Sequence, residues 1–140
     1  MLTNKRLIRV QWGDCDPAGI VFYPRYFEWF DACTILLFEK ATGLTKIKML
    51  EKYDGAGLAL LEARAAFKVA SAYGDDIEIE SQVTEFRRSS FFVQHKVTKA
   101  GVPALEGFET RLWTVRDPAD AKKLKSGSLP AEILAAFQKG

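Results

Sequence analysis

The chain has 140 residues, 48% of them hydrophobic, and its 20 Lys and Arg against 18 Asp and Glu leave a net charge of +2. That length predicts one domain with an ordinary core. The near balance of charge argues against a nucleic-acid binder, whose basic residues cluster in excess.

Two cysteines, Cys15 and Cys33, are too few for a disulfide framework or a four-ligand zinc site. They point to a reducing, cytoplasmic home. The single histidine, His95, excludes any mechanism that needs two. Met1 to Val10 has no apolar stretch of the signal-peptide kind. No run approaches the roughly 18 apolar residues of a membrane span.

In chain order, about Leu2–Gln11 alternates weakly and predicts a strand. Gly13 to Gly19 packs Gly, Asp, Asp and Pro into a loop. Pro24 then suits the first position of a helix. Tyr26, Phe27, Phe30, Cys33, Leu37, Phe38 and Ala41 recur at helical spacing, with Trp29, Ile35 and Leu36 widening the stripe. A helix apolar over most of its circumference is buried. Gly43 is its expected C-terminal cap, and Lys46–Tyr53 adds a short helical turn.

From Gly57 the period changes to two, predicting strands at about Leu58–Ser71, Asp75–Phe86, Ser89–Lys99 and Ala104–Val115. Ile77, Ile79, Ser81 and Val83 share one face. Tight turns at Tyr73-Gly74-Asp75 and Lys99-Ala100-Gly101 imply antiparallel neighbours. Pro118–Ser128 reads as irregular, and Pro130–Gln138 as a terminal helix. Strand, buried helix and four antiparallel strands fit an α+β sheet wrapped around the helix, with an uncovered face that favours dimerisation.

Asp14 and Asp16 stand in the tight loop before that helix. Free N–H groups of a first helical turn can donate to a developing oxyanion, and a nearby carboxylate can attack an acyl carbon or activate water. Gly19 allows close backbone approach to a ligand. Alone, an Asp-x-Asp-Pro loop more often just shapes a turn.

The run Trp12-Gly-Asp-Cys-Asp-Pro-Ala-Gly-Ile-Val-Phe-Tyr-Pro-Arg-Tyr-Phe-Glu-Trp-Phe-Asp31 resembles the signature of the Asp-dependent branch of the 4-hydroxybenzoyl-CoA thioesterase family. The resemblance continues through Tyr73-Gly-Asp-Asp76 and Glu85-Phe-Arg-Arg-Ser-Ser-Phe91. It implies a hotdog fold, a homotetramer of two dimers, and hydrolysis of an aromatic acyl-CoA without metal or organic cofactor. It places the catalytic carboxylate on Asp16, the N–H that polarises the thioester carbonyl on Tyr23, and an acidic residue of the acyl pocket on Asp31. Arg87 and Arg88 match the family's contact with the nucleotide end of CoA, and Ser89 and Ser90 assist through hydroxyls.

This chain departs from the family's reference members at Phe27-Glu28 and at Gly57–Glu62, which loosens the identity of the acyl group. Trp29, Phe30 and Phe67 are expected near an aromatic one. An aliphatic acyl-CoA thioesterase and a non-catalytic acyl-CoA or acyl carrier protein binder are the competing readings. A Cys15–His95 hydrolase is disfavoured because His95 lies at strand spacing between Val93 and Val97.

Overall fold

The structure, a computed structural model, describes residues 1–139. Strand β1 (Thr3–Arg9) leads through a short 3-10 turn at Trp12–Asp14 to helix α1 (Pro24–Thr42) and helix α2 (Lys46–Lys52). Strands β2 (Gly57–Phe67), β3 (Asp76–Phe86), β4 (Ser90–Lys99), β5 (Val102–Asp117) and β6 (Asp120–Ser126) follow, then helix α3 (Ala131–Gln138).

Helix α1 begins where Pro24 needs no N–H partner and ends where Gly43 turns left-handed at φ 71° and donates to Glu39 O at 2.8 Å. Its buried residues Tyr26, Phe30, Cys33, Thr34, Leu37 and Phe38 fall at spacings of three and four, which puts one stripe against the sheet. Each large apolar side chain so buried contributes roughly 1.5–3 kcal/mol.

The sheet is antiparallel in the order β1-β3-β4-β5-β2, with β6 pairing only the end of β5. In β3 the expected alternation holds: Ile77, Ile79, Ser81 and Val83 are buried, and Glu78, Glu80 and Gln82 lie on the other face. Gly107 on β5 lets the helix come close, because a Cβ there would lie 2.3 Å from the Phe30 ring. An antiparallel sheet curled around one long helix is the α+β hotdog arrangement. Among the described residues, no helix is long and apolar enough to cross a membrane.

The segment expected to be irregular, Pro118–Ser128, instead carries β6. Every residue of β6 is exposed, so the strand has no apolar face and leaves no period-two signal. It is held by pairing to the end of β5 across a tight turn, where Ala119 N–H donates to Asp117 Oδ1 at 2.9 Å.

The core divides into two apolar clusters. One gathers Val10, Tyr26, Phe30, Ile77, Ile79 and Leu105; the other gathers Leu37, Phe38, Val83, Phe91, Trp113 and Phe137. Between them lie Thr34, Ser81, His95, Glu109 and Arg111, all buried and polar.

Candidate active site

The loop from Trp12 to Tyr23 is fixed from several sides. Asp14 N–H donates to Gln11 O, Phe22 N–H donates to Asp14 O at 2.8 Å, and Val21 N–H donates to Ser71 O at 2.9 Å. The two aspartates differ in their commitments. Asp14 accepts from Gln11 N–H at 2.8 Å and faces Arg25 Nε at 3.4 Å, so its carboxylate belongs to the turn. Asp16 accepts only Ala18 N–H, at 2.8 Å on Oδ1. Among the described residues its second oxygen has no partner.

Tyr23 stands immediately before α1. The N–H groups of Phe22, Arg25 and Tyr26 find backbone acceptors. Among the described residues that of Tyr23 has none, and it sits at the positive end of a 19-residue helix.

Two hollows flank this loop. One of about 410 Å3 is lined by Asp16, Gly19, Pro17, Cys15, Trp12 and Tyr73, with Trp12 and Tyr73 edge to face at 5.7 Å. The other, about 250 Å3, is lined by Tyr23, Tyr26, Phe67 and Ser71 among others. Asp16 and Tyr23 therefore open onto neighbouring hollows of the same helix entry.

The expected aromatic wall is redistributed. Phe67 lines the second hollow, but Phe30 is buried and stacks on the His95 ring at 4.6 Å, so it belongs to the core. His95 and Cys15 are not brought together. His95 contacts Ser81, Thr34 and Glu109 in the core, and the Cys15 thiol points to Gln11 O at 3.7 Å.

Asp31 lies eight residues beyond Tyr23 on the outward side of α1, and its side chain is 57% exposed. It nevertheless has a firm partner. Arg111 Nη2–H donates to Asp31 Oδ1 at 2.7 Å, and the same guanidinium grips Glu109 through Nε at 3.1 Å and Nη2 at 2.8 Å and donates from Nη1 to Leu58 O at 2.9 Å. Burial pushes the Glu109 carboxyl up. Hydrogen bonds from His95 and Arg111, with their charges, outweigh this and hold it at about 2. Of these buried partners only His95 stood out in the sequence. Glu109 and Arg111 fall on the apolar phase of β5, between Leu105 and Trp113, and that misfit was the available signal.

Arg87 and Arg88 stand exposed at the β3–β4 turn as expected, and Ser89 and Ser90 beside them are half-buried. Arg87 N–H donates to Ser90 O at 2.8 Å, its guanidinium lies 3.6 Å from Glu85, and it sits 5.0 Å from the Phe92 ring centroid. This hairpin lies at the far end of β3 from the Asp16 loop. β3 has 11 residues, about 35 Å at the usual rise. One chain does not bring the two groups of site residues together. A wider hollow of about 470 Å3, with Phe92, Phe108, Arg64 and Gln94 on its walls, opens on the outer face of the sheet and contains none of the predicted site residues. Among the described residues no cluster of three or more His, Cys, Asp or Glu is placed to hold a metal ion.

Sheet, helix and loop thus define a hotdog protein with a free carboxylate at the entry of its central helix. Residues 10–137 match the thioesterase-like superfamily. The 4-hydroxybenzoyl-CoA thioesterase of Pseudomonas sp. (strain CBS-3) is 30% identical over 132 residues, covering 90% of this chain and 91% of that protein. Its three-dimensional structure superposes with a TM-score of 0.86 at 28% identity, covering 96% of this chain and 98% of the other. A mutant of 4-hydroxybenzoyl-CoA thioesterase complexed with 4-hydroxybenzoyl-CoA gives a TM-score of 0.87 at 27% identity over the same shares. A gentisyl-coenzyme A thioesterase gives 0.79 at 27% identity, covering 96% of this chain and 99% of that one. The chain belongs to the thioesterase-like superfamily.

Proposed function

We propose that this chain is an acyl-CoA thioesterase that hydrolyses an aromatic acyl-CoA, 4-hydroxybenzoyl-CoA or a related benzoyl-CoA, to the free acid and CoA. The observation that carries the reading is the pairing of an uncommitted Asp16 oxygen with the unpartnered Tyr23 N–H at the head of α1. The names of the relatives support the substrate class.

In this mechanism the thioester carbonyl oxygen lies against Tyr23 N–H, which stabilises the charge that builds there. Asp16 attacks the acyl carbon or takes the proton of an attacking water. On either route the C–S bond breaks, the sulfur leaves as CoA thiol, and water supplies the oxygen of the product acid. Gly19 keeps the loop clear of the thioester, and Asp31 faces the acyl end. No metal or organic cofactor is needed for these steps.

Arg87 and Arg88 hold CoA phosphates, which suits a planar guanidinium fork, with Ser89 and Ser90 beside them. Within one chain they lie at the opposite end of β3 from the Asp16 loop. A second copy resolves this. Strand β2 is an edge, and Leu60 and Leu61 on it are exposed. Antiparallel pairing of two β2 edges about a two-fold axis sets the Asp16 end of one subunit beside the Arg87 end of its partner. The uncovered outer face of the sheet, with Phe92 and Phe108, is where two such dimers would form the homotetramer. Both cysteines are unpaired, as suits the cytoplasm.

The test is a panel of aromatic and aliphatic acyl-CoAs followed by release of free thiol. Benzoyl-CoA and 4-hydroxybenzoyl-CoA are expected to turn over fastest. Preference for aliphatic esters would move the substrate class, and binding without thiol release would replace the enzyme with a binder.

A further inference from the structure

Buried polar side chains nearly always have a partner, and Ser71 is an exception. It is 1% exposed, and among the described residues its Oγ makes no hydrogen bond. The backbone around it is pinned. Ser71 O accepts from Val21 N–H at 2.9 Å, Ala70 O accepts from Lys99 Nζ at 2.8 Å, and Ala72 N–H donates to Asp75 Oδ2 at 2.8 Å. The segment cannot turn its side chain out to water without breaking these bonds. Burial pushes the Tyr26 phenol up, and the Ser71 hydroxyl draws it down. The two hydroxyls are therefore neighbours, yet Ser71 is left unsatisfied.

Both line the hollow of about 250 Å3 onto which Tyr23 opens. Val21, Tyr26 and Ser71 form its buried floor, while Tyr23, Phe67 and Val69 form an exposed apolar rim. An ordered water would satisfy the hydroxyl, but it gives no reason for an apolar mouth above it. A mostly apolar hollow with a few placed polar groups is the form of a small-ligand site. The hollow beside Asp16 is different, because its walls Trp12 and Tyr73 are themselves exposed. A thioester carbonyl held at Tyr23 N–H stands between the two. The acyl group ends, so it fits the floored hollow; the CoA arm runs on, so it fits the open one. Asp31 of the same chain is not among the walls. Arg111 ties it to Leu58 O, and the antiparallel β2 pairing proposed above brings the Leu58 end of the partner's β2 to the Phe67 rim.

We propose that the Ser71 hydroxyl, on the floor of this hollow beside Tyr26, binds a hydroxyl carried on the ring of the aromatic acyl group. A ring hydroxyl there can donate to one neighbour and accept from the other. This rests on the thioesterase reading above and deepens it: Ser71 selects hydroxylated aromatic acyl groups over unsubstituted ones, which leave it unpartnered.

The experiment measures kcat and KM for benzoyl-CoA, 3-hydroxybenzoyl-CoA and 4-hydroxybenzoyl-CoA in the wild type and in Ser71→Ala. The wild type is expected to prefer one hydroxylated ester over benzoyl-CoA about fivefold or more, the range of one neutral hydrogen bond. Ser71→Ala loses that preference through a higher KM for the hydroxylated ester. Benzoyl-CoA binds to it as well as to the wild type or better, since no unpartnered hydroxyl remains beneath the ring. Should Ser71→Ala not fold, Ser71→Cys, close in size but only a weak donor, carries the same test with a smaller loss of preference. An unchanged preference overturns the proposal by leaving Ser71 to water alone. Equal losses on all three esters overturn it too, because the CoA arm is what they share. Wild-type protein that hydrolyses the three esters alike overturns it and leaves the thioesterase reading standing, and protein that hydrolyses none of them overturns both.

Discussion

Acid should unfold this protein through Glu109. Its carboxyl is held at about 2 against an ordinary 4.5, because hydrogen bonds from His95 and Arg111 overcome the cost of burial. A carboxylate depressed in the folded state stabilises the fold above its unfolded pKa, and that stabilisation is lost as pH falls through the folded one. The loss therefore runs from about pH 4.5 down to about pH 2. The gap is worth roughly 3 kcal/mol, a large share of the stability of an ordinary domain. Urea denaturation followed from pH 7 to pH 2.5 measures it. The control is a double variant, Glu109→Gln with Arg111→Met, which removes both buried charges and leaves His95 and Thr34 an acceptor. Asp75, held low by Ala72 N–H and Lys99, and Asp76, held low by Arg9, also lose stabilisation in acid, but equally in both proteins. Wild type is expected to lose roughly 3 kcal/mol more than the control over that range. Parallel curves would refute the linkage.

Gly107→Ala forces a Cβ to within 2.3 Å of the Phe30 ring, which is packed on the sheet against His95 of β4. The expected cost is about 1–3 kcal/mol, visible as a lower melting temperature, and an unchanged melting point would mean that Phe30 has room to move. Leu60→Lys with Leu61→Lys places two charges on the free β2 edge. Size-exclusion chromatography should then show the tetramer broken into smaller species, with thiol release lost alongside; an unchanged oligomer would put the interface elsewhere.

Much of the fold can be read from local pattern. Pro24 and Gly43 bracket α1 because they act on the backbone within one turn, and the Ile77–Val83 alternation marks β3 because one face is buried. β6 escapes such reading, since Asp120–Ser126 has no buried face and is held by backbone pairing. The site divides in the same way. Asp16, Gly19 and Tyr23 are contiguous enough to form a motif. The support behind Asp31 is not, because Thr34, Ser81, His95, Glu109 and Arg111 meet only once helix and sheet have packed. The wide separation of Asp16 from Arg87 is equally invisible in sequence, since it follows from the two lying at opposite ends of β3.

The central claim is that Asp16, and not its neighbour Asp14, performs the chemistry. Thiol release from 4-hydroxybenzoyl-CoA by Asp16→Asn and Asp14→Asn, each checked for an unchanged melting temperature, tests it most directly. The account predicts a loss of about a hundredfold or more for Asp16→Asn and a much smaller one for Asp14→Asn, whose carboxylate serves the turn. Asp16→Asn that keeps most of the wild-type rate would contradict it.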